Sequence, residues 1–276
     1  MKAEEAESVY DEVADAYRDW WGPIIAPGAV GVLDEIGVRP GADAPFELLD
    51  LGSGTGILAL TALQRWPAVR VIAVDPSSRM LAIAANAARE RSSEALSRLQ
   101  TVTASAGHMP LGDATIDAAV SSFMIQLVPS RAAALREVLR VLRPGGRFGC
   151  VTWRADDPPY EPDDAFADAL DELQIIQPDH QRDVRPYASA RAAGAEFRRA
   201  GFRDVRASDV WLEHRFTAET YLDLLEHWID RELFAGLDGD TREQLRALAL
   251  KLMADVPERA FLWRRPLVQI AARRRA

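Results

Sequence analysis

Leu48-Leu49-Asp50-Leu51-Gly52-Ser53-Gly54-Thr55-Gly56 is the stretch from which the fold is read. An apolar run with the look of a buried strand ends in three glycines, and a helical pattern begins near Ile57. Glycine permits positive φ and has no β-carbon, so backbone N–H groups and a helix N-terminus can approach a polar ligand closely. The next apolar run ends at Asp75, nineteen residues beyond Gly56. A carboxylate at the tip of a second strand can accept hydrogen bonds from both hydroxyls of a ribose. Loop and acid together describe a nucleoside site.

Working outward, five short runs rich in Val, Ile and Leu alternate with helical patterns: Phe46 to Gly52, Val69 to Asp75, Leu99 to Ser105, Ile116 to Phe123 and Gly146 to Trp153. Nearly continuous apolar strands separated by helices predict an α/β fold with a parallel sheet covered on both faces. Arg131 to Leu142 carries Ala134, Leu135, Val138, Leu139, Val141 and Leu142 on one helical face before Arg143-Pro144-Gly145-Gly146 stops it. Ahead of the sheet, Tyr10, Val13, Ala14, Tyr17, Trp20 and Trp21 recur at amphipathic spacing. Downstream come helices over Asp163 to Leu173 and Ala190 to Ala200, a sixth strand over Phe202 to Trp211 and a seventh over Leu267 to Arg274. Helical patterns over Ala218 to Leu233 and Thr241 to Ala254 lie between those last two strands, which predicts a lid inserted in one sheet.

Composition sets bounds on partners. The 276 residues carry a net charge of -9, are 48% hydrophobic and 27% charged, and contain one cysteine. An acidic chain without a basic cluster argues against nucleic acid, whose binding draws on clustered Lys and Arg. Cys150 alone can form neither an internal disulfide nor a cysteine-based metal cage, so no metal is expected, and its apolar setting predicts an inert buried thiol. No run reaches the roughly 18 to 20 apolar residues of a membrane helix. The acidic, amphipathic start, unlike a secretory signal, predicts a cytoplasmic protein with no membrane partner.

Four motifs, LLDLGSGTG (48–56), VIAVDPSSRML (71–81), PLGDATIDAAVSSF (110–123) and LREVLRVLRPGGRF (135–148), occur in this order and spacing. In that register the chain resembles the class I S-adenosyl-L-methionine (SAM)-dependent methyltransferases, in particular the UbiE-like small-molecule group. The resemblance covers roughly residues 5 to 153. It implies a Rossmann-like, seven-stranded, mostly parallel sheet with helices on both faces, an N-terminal helical lid and a helical insertion between strands six and seven. As one domain, 1–276 divides into a lid (1–45), a SAM-binding core (46–153), helices with strand six (154–211), a helical cap (212–265) and strand seven (266–276).

The same resemblance places Gly52, Ser53 and Gly54 against the methionine part of SAM, with Asp50 orienting that loop and Gly56 also among the cofactor-binding residues. Asp75 would hold the ribose, Pro76 and Met80 would pack near the adenine, and Ser105 and Ala106 would lie along its edge. Ser121 or Ser122 would offer a carbonyl to the ammonium group, and Tyr17 would close over the cofactor. Ser105 departs from the Asp that many relatives carry there, which leaves the adenine amino group a weaker partner. The loop also satisfies the looser G-x-G-x-x-A pattern over Gly54 to Ala59, so an NAD(P)-dependent oxidoreductase remains an alternative. Asp50 weighs against it, since a second acid repels a pyrophosphate but suits a sulfonium and an ammonium group.

Candidate substrate contacts are Trp20, Trp21, Gln126, Tyr221, Trp228, Trp263 and Arg264, each with packing as the competing explanation. Gln126, at the end of the fourth strand, cannot act as a base near neutral pH but can orient an acceptor. His227 shares a helical stripe with Asp223 and Arg231, an arrangement that serves either a catalytic imidazole or a solvated salt-bridge face. His108, His180 and His214 are weaker candidates. Asp157-Pro158-Pro159-Tyr160 spells a tetrapeptide used by amino-group methyltransferases, yet it follows the fifth strand and not the fourth, which makes it a proline-rich turn. The expected activity is methylation of a small, hydrophobic molecule, O- or C-methylation being favoured over N-methylation. A non-catalytic SAM-binding or regulatory protein is the alternative from a different class.

Overall fold

The computed structural model describes residues 3–38, 45–156, 158–178 and 184–276, with the backbone alone for residues 3–9. Its centre is a seven-stranded sheet in the order β3-β2-β1-β4-β5-β7-β6. The strands are β1 (Phe46–Leu51), β2 (Val69–Asp75), β3 (Leu99–Thr103), β4 (Ile116–Ser122), β5 (Leu142–Trp153), β6 (Arg203–Arg215) and β7 (Leu262–Arg273). The first five run parallel and β7 is antiparallel to both β5 and β6. Strand order reverses at β1/β4, and at such a switch point a crevice opens beyond the carboxyl ends of the strands.

Alternation along the strands divides the core in two. Leu48, Val120, Val151 and Leu267 face one layer, with Ile24, Ile25, Leu58 and Leu63 from α2 (Gly22–Glu35) and α3 (Ile57–Arg65). Leu49, Ala119, Phe148 and Val268 face the other, with Leu135 and Val138 of α6 (Arg131–Val141) and Ala193 and Phe197 of α8 (Ala190–Ala200). The remaining helices are α1 (Ala3–Ala16), α4 (Ser78–Arg91), α5 (Ser93–Ser97), α7 (Glu161–Glu172), α9 (Ala218–Leu224), α10 (Arg231–Gly236) and α11 (Gly239–Met253). Cys150 is fully buried, and burial pushes its thiol up to about 12. No helix among the described residues is long and apolar enough to cross a membrane.

The structure differs from the sequence-based expectation in several elements. α2 is not expected from the pattern, because Pro23, Pro27, Gly22, Gly28 and Gly31 all weaken a helical reading. Its glycines answer to packing: a β-carbon on Gly28 would lie 3.0 Å from Leu267 Cδ1. The helix expected over Ala218 to Leu233 is interrupted by a π turn at Leu225–Ile229, closed by a 2.7 Å bond from Asp230 N to Leu225 O. A second π turn, Tyr17–Trp21, joins α1 to α2. β6 runs on to Arg215 and β7 starts at Leu262, so the two pair well beyond the span expected of them and the helical cap occupies less than 212–265. β5 starts at Leu142, upstream of the glycine pair.

On β5, a β-carbon at Gly149 would overlap Ile36 Cγ2 and stand 2.9 Å from Val32 Cγ1. Gly149→Ala therefore overpacks the α2–sheet contact and is expected to lower stability by about 1–3 kcal/mol. The check is the urea midpoint at unchanged m-value, with Ile36→Ala in the same background recovering part of the loss.

Candidate active site

At the carboxyl ends of β1, β2, β4 and β5 lies a cavity of about 360 Å³. Its floor is the glycine turn. Gly52, Gly54 and Gly56 all have positive φ, at 69°, 53° and 88°. Around Gly54 an added β-carbon meets nothing closer than Tyr17 Cε1 at 3.9 Å, so the backbone there is bare toward the cavity. Gly56 serves packing instead: its β-carbon would come within 2.8 Å of Ala84 Cβ on α4.

Two buried carboxylates hold this turn. Asp50 Oδ2 accepts from Ser53 Oγ at 2.9 Å and from Ala59 N at 3.0 Å, which fixes the loop to the first turn of α3. Asp75 Oδ2 accepts from Gly54 N at 2.8 Å and Oδ1 from Ser77 N at 2.9 Å. Burial pushes Asp50 up to about 7 and Asp75 up to about 6, against the lowering effect of their hydrogen bonds. Ser77 also caps α4 through Met80 N at 3.0 Å and donates its Oγ to Asp11 of α1, whose carboxylate accepts Arg79 N at 3.1 Å as well.

Of the residues assigned to the cofactor from sequence, Tyr17, Gly52, Gly54, Asp75, Pro76, Met80, Ser105, Ala106 and Ser122 line the cavity. Asp50, Ser53, Gly56 and Ser121 do not. Asp50 and Ser53 are turned into the protein on each other, Gly56 is spent against Ala84, and Ser121 is wholly buried within β4.

The other end of the cavity is aromatic. Trp21, Gln126 and Trp228 line it, as the sequence suggested, and so do Phe123, Met124 and Trp153, which it did not single out. Phe123 has φ of 52°, a left-handed conformation uncommon outside glycine, and its ring lies 4.7 Å from that of Trp153. The available signal was position alone: both residues stand at the carboxyl ends of strands. Gln126 is buried and both ends of its amide are engaged, Oε1 accepting from Thr152 Oγ1 and Nε2 donating to Phe123 O. That fastens the turn after β4 to β5 while Gln126 lines the cavity.

Four other substrate candidates are displaced from the wall. Trp20 stacks on His227 at 4.3 Å, away from the cavity. Tyr221 is buried in the cap with its hydroxyl donated to Asp163 Oδ1. Trp263 packs behind Trp21 and Trp153, at 6.0 and 6.2 Å. Arg264 is exposed, paired with Glu213 at 2.7 Å and placed over Trp211.

His227 is exposed, with Nδ1 against Asp223 O at 2.9 Å, while the Asp223 carboxylate pairs with Arg246 at 2.9 Å; it does not face the cavity. His108 is exposed and His214 packs on Phe216 at 4.4 Å. His180 and Asp157 lie outside the described residues.

The arrangement has an open glycine backbone, a ribose-competent acid and a slot of Pro76, Met80, Ala104 and Ala106. No Lys or Arg is among the described residues lining it. These features fit a nucleoside whose other end is cationic. They fit a pyrophosphate poorly: Gly52 N and Ser53 N are both directed at Val74 O, at 2.8 and 3.1 Å, and Gly54 N is held by Asp75.

Residues 49–150 match a family described as a methyltransferase domain. Over that stretch the chain is similar to methyltransferase domains. Its glycine turn, Asp75 and the β4 end all fall within the matched residues. The ubiquinone/menaquinone biosynthesis C-methyltransferase UbiE of Methylobacterium nodulans is 40% identical over 124 residues, 44% of this chain and 48% of that protein. The chain thus spans about half the length of this curated relative. Among solved structures, the [4+2]-cyclase SpnF shares the fold at a TM-score of 0.60 and 21% identity, over 100% of this chain and 98% of its own. Haemonchus contortus phosphoethanolamine N-methyltransferase 2 does so at 0.59 and 17%, over 96% and 58%.

The raised carboxylates make the stability of the fold depend on pH. Asp50 and Asp75 bind a proton more tightly folded than unfolded, where the reference is about 3.9. Their contribution is therefore full below about pH 4 and is lost as pH rises through about 6 and 7. Asp50→Asn is expected to shrink the fall in unfolding free energy between pH 5 and pH 8, measured by urea titration; an undiminished fall in the variant would count against this assignment.

Proposed function

We propose that this protein transfers the methyl group of SAM to a small, hydrophobic acceptor, with O- or C-methylation favoured over N-methylation. The observation that carries this is one cavity with two chemically distinct ends: Asp75 and the bare Gly54 backbone at one, and Trp21, Phe123, Trp153 and Trp228 at the other. The likeness to a C-methyltransferase over the core supports the same reading. Fold alone would not suffice, since SpnF, a [4+2]-cyclase, has it too.

Within this assignment Asp75 accepts the ribose hydroxyls, Pro76 and Met80 flank the base, and the carbonyl of Ser122 faces the ammonium group. SAM supplies a methyl on a sulfonium, whose leaving group is already good, so alignment of the acceptor can provide much of the acceleration. The ionisable side chains lining the cavity among the described residues are Asp75, Tyr10 and Tyr17. Burial pushes the Tyr17 phenol up, so it stays protonated at neutral pH and serves as a wall. The apolar rings hold the acceptor and exclude water.

Calorimetric titration with SAM beside NADH tests the assignment. SAM is expected to bind and NADH to give no heat, and Asp75→Ala should weaken SAM by about tenfold or more, the scale of 1.4 kcal/mol. Affinity should also fall as pH is lowered through about 6, where Asp75 takes up a proton. NADH binding without SAM binding would return the glycine turn to a dinucleotide. SAM binding without labelled methyl passing to any acceptor in a broad screen would favour the regulatory alternative.

A further inference from the structure

The two π turns meet on the cavity wall. One belongs to the N-terminal lid, Tyr17–Trp21, and the other to the cap, Leu225–Ile229. The rings of Trp228 and Tyr17 meet in a T-shaped pair at 5.5 Å, and Trp228 lies near-parallel to Trp21 at 6.0 Å. Tyr17 in turn is the nearest side chain to the open side of Gly54. A contiguous path therefore runs from the glycine turn through a phenol to an indole of the cap.

The two elements are secured differently. Around Trp228 the cap is pinned on two sides: the Tyr221 hydroxyl donates to Asp163 at the start of α7, and Arg246 of α11 bonds Asp223 and Glu226. The lid is held by Asp11, which accepts from the buried Ser77 Oγ and from Arg79 N, by the exposed Asp15–Arg79 pair, and by the buried side chains of Val13 and Ala14. The exposed pair contributes little and is screened by salt. The aromatic contact joins the lid to the cap. Each π turn inserts a residue into its helix, which rotates the downstream residues by about 100° relative to an unbroken α-helix. π turns inside α-helices recur at functional sites for this reason.

We propose that Trp228 is a positioning residue for the cofactor site: the paired π turns bring its ring against Tyr17, and that contact keeps Tyr17 over the Gly54 backbone. The proposal rests on the SAM-binding assignment, and S-adenosylhomocysteine is the probe.

Calorimetric titration of the full chain separates positioning from mere packing. Trp228→Leu keeps apolar bulk but lacks a ring and is expected to weaken S-adenosylhomocysteine by about five- to tenfold. Trp228→Phe should restore binding to within about twofold of the unsubstituted protein. Because the effect passes through Tyr17, Trp228→Leu should add nothing to Tyr17→Ala in the double variant. Amide exchange at residues 17–22 should slow on adding the probe in the unsubstituted protein and much less in Trp228→Leu. Unchanged affinity in Trp228→Leu, or a loss additive with Tyr17→Ala, would overturn the proposal while leaving SAM binding intact. Failure of the unsubstituted protein to bind the probe would overturn both.

Discussion

The Asp75 carboxylate is the junction on which the site depends. One oxygen takes the amide of Gly54 and the other the amide of Ser77, so the turn after β1 and the start of α4 are held by one side chain. Ser77 passes the connection to Asp11 on the lid. On the proposed assignment, the group that would receive the ribose is also the one that fixes the floor, the α4 terminus and, at one remove, the cover. Its burial raises the free energy of the charged form, and the two amide donors offset only part of that. A ligand that brings two further hydroxyl donors completes the solvation of this carboxylate, so affinity and local order would rise together.

Chemistry and shape are divided along the cavity. The polar end works mainly through backbone and one acid, and these are set by strand ends and left-handed glycines. The aromatic end is assembled from four separate places: the lid, the β4 end, the β5 end and the cap. The polar end lies within residues 49–150, which match the methyltransferase-domain family, whereas Trp21, Trp153 and Trp228 lie outside them.

How much was legible in the sequence obeys the same division. Strands with nearly continuous apolar runs and glycine punctuation were readable because each rests on a local rule, and β1, β2 and β4 begin where the apolar runs do. α2 was not, because its glycines exist for close approach to the sheet, a non-local reason that looks like helix breaking from within the sequence. The π turns were invisible too, since nothing in YRDWW or LEHWI distinguishes a one-residue insertion from an ordinary helical turn. Stripes at helical spacing told which residues share a face but not what the face meets. Trp228 met the cavity, while His227 and Tyr221 met solvent and α7. Gln126 shows a third difficulty: it lines the cavity, yet its amide also bonds Thr152 and Phe123.

The placement of β7 has a bearing on how the chain is made. β6 has no partner in the sheet among the described residues except β7, which lies between it and β5. During synthesis the parallel strands β1 to β5 can assemble as each emerges, but β6 must wait until the whole cap and then β7 have emerged after it. For that interval the β5 edge is open and β6 is an unpaired strand, both ready to join another chain. Conditions that slow elongation between β6 and β7 would therefore lengthen the period in which nascent copies can aggregate, even though in the finished sheet β7 pairs with both β5 and β6.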